Sequence, residues 1–494
     1  MRDPAELPRQ PPLELQTLRV ALVAALVCLA AAASASAQTP GFTGDHPGAA
    51  GLEPVSPALP VPGRRLTPRQ VLATARAVPK IARVLRRHPG VDEEPYVRGQ
   101  DEWQVAFRDG KDEIAQVRID DATGAVTEAW TGIQVEWPMA RGYRGAFGRR
   151  AASLPVWLGC LLLFLAPFLR PPWRLLHLDL AVLAALSVSF ALFSDGHVRW
   201  SVPLAYPPLL YLLARLLQLA RDHRPPEPLR IWGAGLLGAA VVFLLGFRLG
   251  LQAISSNVID VGYSGVIGAD KLSHLRDLYG SFPADNPHGD TYGPLAYLAY
   301  VPFELISPWH GIWDDLPAAH AAASAFDIAC AGGLYLVGRG RSHQHGLLLA
   351  FLWLACPFTL LAANSGANDA LTGALVLGAV AWRSGALAVA AGTTKLAPLV
   401  LLPLLVRTRR GVLGAAAVLA AGLALVLVTD SGLGDLWRRA VVFQLHRDSP
   451  FSVWGLYGLG GLQVVAQLAV AGLAVGAARV KPADRFALAA AVLL

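Results

Sequence analysis

The chain has 494 residues, 54% of them hydrophobic and only 16% charged, a balance that leaves too little polar surface for a water-soluble globule of this size. Its formal charge of +7 comes from basic residues scattered through short segments rather than gathered on one patch, which argues against a nucleic-acid-binding surface and for topology signals. Apolar runs of spanning length recur from Ala152 onward, each long enough to cross roughly 30 Å of hydrocarbon, and helices follow because they satisfy their own backbone in lipid.

In chain order, Arg2, Arg9 and Arg19 precede the apolar run Val20 to Ala33 and then Ala35-Ser36-Ala37, the pattern of a secretory signal peptide or an uncleaved anchor over residues 1–37. Either reading puts the next segment outside the cytoplasm. Residues 38–65 are rich in Pro, Gly and Ala and read as a linker. Thr67-Pro68 has the form of an N-cap followed by proline, and Val71, Leu72, Ala75, Ile81 and Leu85 continue a helical face that Pro79 interrupts. Trp103, Val105 and Phe107 then alternate with polar residues, Asp109-Gly110 marks a turn, Val117 and Ile119 alternate again, and Asp121 to Gly124 turns into Val126. This helix with a small antiparallel sheet, over residues 66–137 and carrying Val117-Arg118-Ile119-Asp120 and Thr123-Gly124-Ala125-Val126, resembles a PepSY domain. The resemblance implies a binding or regulatory extracytoplasmic domain, and nothing in it has catalytic spacing.

Spans are expected near residues 152–169, 177–193, 202–219, 230–250, 317–337, 345–362, 368–384, 410–428 and 454–477. The first three, within 152–219, precede a core running from 230 to 494. Segments carrying Arg170 and Arg174, Arg221 and Arg224, Arg339 and Arg341, Arg383, Arg407 with Arg409 and Arg410, and Lys481 with Arg485 are then cytoplasmic, while acids such as Asp260, Asp277, Asp314, Asp430 and Asp448 collect outside. Two stretches do not fit single crossings. Tyr292 to Pro308 is broken by Pro294, Pro302 and Pro308 and reads as lying along the outer surface. Ala386 to Val406 as one crossing would strand Lys395 at mid-bilayer and expel the basic cluster after it, so two half-helices meeting at Thr393-Thr394-Lys395 are expected. Asp327 falls in mid-span, where a charge is costly and a functional role is the first hypothesis; pairing with a neighbouring helix is the preferred reading, since a site at that depth would lie far from the outer loop. The last apolar run starts at Phe486 and ends nine residues on at Leu494, so the sequence is expected to stop inside a span. Cys28 lies in the signal segment and Cys160, Cys330 and Cys356 in apolar runs, so neither a disulfide framework nor a metal cluster is expected.

The longest outer loop, 251–316, opens with Ile259-Asp260-Val261-Gly262-Tyr263-Ser264-Gly265, an acid just past a span among residues small enough to admit a substrate. Asp270 and the stretch Asp285-Asn286-Pro287-His288-Gly289-Asp290-Thr291-Tyr292-Gly293-Pro294 add hydrogen-bonding groups beside a membrane cavity. Further on come Tyr292-Gly293-Pro294-Leu295-Ala296-Tyr297, Asn364-Ser365-Gly366-Ala367-Asn368-Asp369-Ala370, Thr394-Lys395-Leu396-Ala397-Pro398 and Arg447-Asp448-Ser449-Pro450-Phe451-Ser452-Val453-Trp454-Gly455. With Asp260, and in this order, they resemble the GT-C superfamily of polyprenyl-phosphate-sugar-dependent glycosyltransferases, in particular a mannosyltransferase-like branch of bacterial membrane proteins. The resemblance covers residues 231–455, roughly half of the chain.

What the resemblance implies is a mainly α, polytopic GT-C-like bundle in the plasma membrane, with a small α+β extracytoplasmic domain. Its activity would be inverting transfer of a sugar from polyprenyl phosphate to a glycan, lipid or protein acceptor on the outer face, without cofactor or metal. Asp260 would be the general base, taking the proton of the acceptor hydroxyl as it attacks the anomeric carbon. Lys395, His446 and Arg447 would hold the leaving phosphate. With five lysines against 37 arginines, a lysine at a half-helix tip is a specific choice of cation. Tyr263, Asp270, Asp285, His288, Asp290, Tyr292, Asn364, Asn368 and Asp369 complete the substrate-binding set. Asn368 and Asp369 could equally cap the helix they precede, and Tyr263, Tyr292 and Trp454 could equally be interfacial aromatics. A multi-spanning transporter or flippase is the main competing reading, disfavoured because polar density gathers on one face and no internal repeat is visible. A receptor or scaffold whose extracytoplasmic domain is the working part ranks third.

Overall fold

The computed structural model describes residues 52–110, 112–136, 141, 150, 151, 153–169, 174–222, 231–283, 286–429, 431–446, 451–479 and 484–494. The expected signal segment lies outside them. The first unit is a sheet domain in which α1 (Pro68–Ala77) and α2 (Pro79–Leu85) pack on five antiparallel strands in sequence order, β1 (Leu52–Pro54), β2 (Asp92–Arg98), β3 (Glu102–Asp109), β4 (Asp112–Asp120) and β5 (Val126–Thr131). Helix α1 starts at a reciprocal capping box between Thr67 and Gln70, and an extended Val78 before Pro79 divides it from α2. Alternation sends Trp103, Val105, Phe107, Val117 and Ile119 into one core with Val71, Ala75 and Ile81 of the helices. The opposite sheet face carries ion pairs, Arg108 between Glu94 (3.0 Å) and Glu113 (3.3 Å) and Arg118 with Glu128 (3.2 Å). The stretch expected to be linker up to residue 65 is corrected by β1, whose pairing with β2 supplies backbone partners that no side-chain pattern announces.

The short helix α3 (Ile133–Glu136) packs on β4 and β5 and closes the sheet domain, and the helical part comprises α4 (Leu154–Leu165), α5 (Leu175–Ser194), α6 (Val198–Arg221), α7 (Ala234–Ser255), α8 (Asp260–Ser273), α9 (Pro294–Leu298), α10 (Val301–Glu304) and α11 (Pro317–Arg339). It continues with α12 (His343–Ala355), α13 (Pro357–Asn364), α14 (Asp369–Trp382), α15 (Gly385–Thr394), α16 (Leu402–Leu405) and α17 (Arg409–Val428). Last come α18 (Leu433–Leu436), a π-helical turn over Trp437–Val442, α19 (Phe443–His446), α20 (Val453–Leu456), α21 (Gly460–Arg479) and α22 (Arg485–Leu493). Among the described residues six helices are long and apolar enough to cross a membrane: α5, α6, α7, α11, α17 and α21. The protein is a multi-pass helical membrane protein.

Four expected spans take another form. The run at 345–362 is bent by 60° between α12 and α13, because Pro357 cannot continue the helical ladder. The runs at 152–169 and 368–384 give helices of only 12 and 14 residues, the second stopped where Arg383 adopts φ 51°. The run at 454–477 is divided between α20 and α21, and only the latter is of spanning length.

The break at Pro357 orphans carbonyl groups inside the bundle, and Arg248 of α7 takes them up. Its Nε donates to the Leu354 carbonyl (2.9 Å), and its Nη2 donates to the carbonyls of Trp353 (3.2 Å) and Cys356 (3.3 Å) and to Thr359 Oγ1 (2.7 Å). Its Nη1 lies 2.7 Å from both carboxylate oxygens of Asp327, so the mid-span acid has its partner on the neighbouring helix. Trp353 Nε1 adds a further bond to that carboxylate at 2.8 Å.

After α15 the chain turns at Lys395 and comes back through a 3-10 turn (Ala397–Leu401) and α16. Gly385 at its start packs so closely on Gly411 that a Cβ would collide with the Gly411 carbonyl oxygen, so both ends of this hairpin lie together and Lys395 is its tip. The proline-broken stretch 292–308 holds only the short helices α9 and α10. One end of the bundle gathers the end of α7, the start of α11 and the α13–α14 turn: Asn257 N and Ile259 N donate to Asn364 O and Ser365 O, and Ser256 Oγ bonds His320 Nδ1 at 2.7 Å. Ser431, just after α17, reaches Asp277 there at 2.8 Å. The sheet domain is joined to this end through Gln134 Nε2, 3.4 Å from the Gly196 carbonyl oxygen.

Candidate functional site

At that end, α8 starts with Asp260, an acid in the first turn where the helix dipole favours negative charge. All residues from Gly262 to Leu272 are buried. Glycines at 262, 265 and 268 repeat every third residue on one face, and a Cβ would collide there with the Gly366 carbonyl oxygen, the Tyr300 ring and the Tyr297 ring. The glycine row lets α8 lie against Tyr297 of α9 and Tyr300 just before α10, while its first turn touches the 364–366 turn. Asp260 is fixed through its main chain: its carbonyl oxygen accepts from Ser264 Oγ (2.6 Å) and Asn286 Nδ2 (3.2 Å), and Asn286 also donates to Ser264 Oγ (3.0 Å).

Across the 364–369 turn, Asp369 at the start of α14 forms an ion pair with Lys395 at the hairpin tip. Their side chains are 56% and 30% exposed, so the pair is reachable from outside the protein. Thr372 and Thr394 bond at 2.9 Å beneath it. Gly293, before α9, lies against the Thr393 carbonyl with no room for a Cβ. Four stretches far apart in sequence therefore meet: the start of α8, the Tyr292-Gly293-Pro294 bend, the Asn364–Asp369 turn and the Lys395 tip. Tyr300 stands among them, fully buried, and its phenol is pushed up by burial and then by the charge of Asp369.

The other expected residues divide between this locus and its surroundings. Asn364 and Asn368 are each 1% exposed, and Asn368 precedes α14 without a side-chain capping bond, so the capping alternative does not describe it. The Tyr292 carbonyl accepts from Tyr279 Oη at 3.0 Å. His288 stacks on Phe443 with ring centroids 5.0 Å apart, and Asp290 accepts from Gly280 N (2.7 Å) and faces Arg439 (3.4 Å). These contacts join the 277–292 loop to the segment from α18 to α19, where His446 is the last residue. Asp285 and Arg447 lie outside the described residues.

Two residues are corrected. Tyr263, expected to face a sugar, is fully buried with its ring 4.6 Å from Trp313 and 6.0 Å from Trp309, because the glycine face of α8 turns its opposite side into an aromatic core. Asp270 sits ten residues along α8 from Asp260, about 15 Å by helical rise, and is engaged by Arg276 and by His274 at 3.1 Å. It belongs to the anchoring of α8 at its far end.

Residues that sequence reasoning passed over are Ser264, Asn286, Tyr300 and Lys271. Lys271 is buried beside the Phe282 ring and donates to the Asp277 carbonyl (3.2 Å) and Ser281 Oγ (2.7 Å). Burial lowers its pKa, Arg276 adds to that, and Asp277, Asp270 and Asp290 oppose it. The rarity of lysine, which singled out Lys395, was the available signal here as well. Among the described residues no group of three or more His, Cys, Asp or Glu side chains could hold a metal ion. Chemically, the locus offers the carboxylate of Asp260, whose main chain is held by Ser264 and Asn286, and the exposed ammonium–carboxylate pair of Lys395 and Asp369. Set against known protein families, characterised proteins and solved structures, the chain matches none of them.

Proposed function

We propose that the protein is a membrane glycosyltransferase that moves a sugar from a polyprenyl-phosphate donor to a hydroxyl of an extracytoplasmic glycan, lipid or protein. The observation that carries this reading is the meeting of Asp260 with the Asn364–Asp369 turn and Lys395 at one end of the bundle. Asp260 takes the proton from the acceptor hydroxyl, whose oxygen bonds to the anomeric carbon; the bond from that carbon to the phosphate oxygen breaks, and the phosphate leaves with the electron pair. Lys395 receives the charge, the phosphate displacing Asp369 from it. Asn286 and Ser264 hold the Asp260 backbone, which limits the reorganisation needed during transfer. The sheet domain, similar to PepSY domains in its strand and turn residues, has a regulatory or binding role on the same side.

The transporter or flippase reading draws on Arg248 and Asp327, charged groups inside the bundle of the kind that line solute paths. Arg248 spends its donors on the carbonyls of the α12–α13 break, however, and that use is structural. The test is to reconstitute the protein in vesicles with polyprenyl-phosphate sugars and acceptor glycans and to measure polyprenyl phosphate released. Asp260→Asn should lower release by on the order of 10²- to 10⁴-fold with unchanged membrane insertion. Release at the unmodified rate would falsify the role of Asp260, and movement of labelled donor across the vesicle without release would favour the transporter.

A further inference from the structure

We infer that the cavity between α7, α11 and the end of α13 is a binding site for one water molecule, built into the bundle below the candidate site and sharing Asn364 with it. The cavity measures about 10 Å³ and is lined on its polar side by Arg248, Gln252, Ser324, Asp327 and Asn364. That volume is about what one water needs. Gln252 is 6% exposed and Asn364 1% exposed, and neither Oε1 nor Nε2 of Gln252, nor Nδ2 of Asn364, has a protein hydrogen-bond partner. Buried polar groups of this kind require a partner.

The chemistry of the lining selects the occupant. Arg248 and Asp327 neutralise each other, so the cavity has no net charge to attract an ion. The unpartnered groups are of both kinds, one amide oxygen that accepts and two amide nitrogens that donate. A bare cation would face the amide hydrogens and an anion would face the oxygen, whereas water donates to Gln252 Oε1 and accepts from the nitrogens. The surroundings are continuous with this role. Arg248, Gln252 and Ser256 recur every fourth residue on one face of α7, and Ser256 Oγ bonds both the Gln252 carbonyl and His320 of α11. Asn364 in turn supplies the carbonyl that receives Asn257 N, so the water joins α7 to the turn that carries the candidate site.

The experiment is millisecond hydroxyl-radical footprinting of the full chain in lipid nanodiscs, in which radiolysis of a bound water oxidises the side chains touching it. Leu249 and Ile328, both half-buried and lining the cavity, should be modified, and the cavity's share of that labelling is the part lost in Gln252→Leu; Leu237 and Leu244 of α7, 0% and 1% exposed, stay unmodified in both proteins. Gln252→Leu should reduce the labelling of Leu249 and Ile328 severalfold and lower the melting temperature, because the water and its bonds to Asn364 are lost. A dry cavity predicts the opposite sign, since the same substitution then removes two unpartnered groups. Unlabelled Leu249 and Ile328 in the unmodified protein, labelling unchanged by Gln252→Leu, or a raised melting temperature for that variant overturns the inference; the first readout needs no variant to fold.

Discussion

Lys395 shows what a single residue discloses and what it withholds. Its rarity and the breaking residues around it were legible, but its partner was not, because Asp369 lies 26 positions earlier and only the hairpin brings the two together. Under the transferase reading, Lys395→Met should raise the donor KM and lower turnover, with Arg partly restoring both, since a cation is required but its geometry differs. Asp369→Asn should lower the donor KM by removing the competing carboxylate. An anchoring role for Lys395 predicts unchanged kinetics and altered stability in detergent alone, so donor titrations of the three variants in vesicles separate the accounts. Asp260 was visible from its place just past a span. Asn286 and Ser264 were not, because a side chain that serves a neighbouring backbone leaves no spacing in the sequence. Tyr263 was misread for a related reason: its aromatic character was plain, whereas which side of α8 it joined depended on the glycine row that faces Tyr297 and Tyr300.

The elements of the bundle were legible as apolar runs and less so as shapes, because hydropathy reports burial in lipid and is blind to a bend. The α12–α13 break is the clearest instance, and it depends on a residue about a hundred positions earlier, Arg248, which the sequence presents only as one more arginine in an apolar helix. Removing that side chain leaves Asp327 without its guanidinium and takes a donor from the carbonyls of Trp353, Leu354 and Cys356, of which the first and last keep Thr359 Oγ1. Arg248→Met should therefore cost about 3–5 kcal/mol, read as a large fall in detergent melting temperature. The double variant Arg248→Met with Asp327→Leu removes the stranded charge and should recover part of the loss. Full recovery would mean that the carbonyl contacts contribute nothing, and no recovery would mean that the ion pair contributes nothing. The sheet domain was more legible, since Thr67-Pro68, the alternation in β3 and β4 and the Asp109-Gly110 turn each announce local structure. In contrast β2, with Pro95 and its charged residues, and the edge strand β1 take their form from pairing.

At the scale of the whole molecule, charge and geometry make a joint prediction about orientation. Helix α17 has 20 residues and spans about 30 Å, and Ser431 just beyond it touches Asp277 in the candidate-site region. Arg409 and Arg410 at its start therefore lie at the opposite end of the bundle, where Gly385 and Gly411 meet. Arg221 and Arg339 end α6 and α11 at that side too, while Asp260, Asp277, Asp290 and Asp369 gather at the other. The excess of arginine on one side predicts that this end is cytoplasmic and that the candidate site and the sheet domain face outward. Single-cysteine reporters test it well, because Cys160, Cys330 and Cys356 are buried and add little background once Cys28 is replaced by serine. In intact cells a membrane-impermeant maleimide should label Gly110→Cys, at the exposed β3–β4 turn, and should label Arg409→Cys only after permeabilisation. Labelling at residue 409 but not 110 in intact cells would invert the protein and put Asp260 beside cytoplasmic substrates, ending the case for an extracytoplasmic acceptor. Labelling at both would place the start of α17 on the same side as the sheet domain, which the hairpin at Lys395 and the length of α17 do not permit.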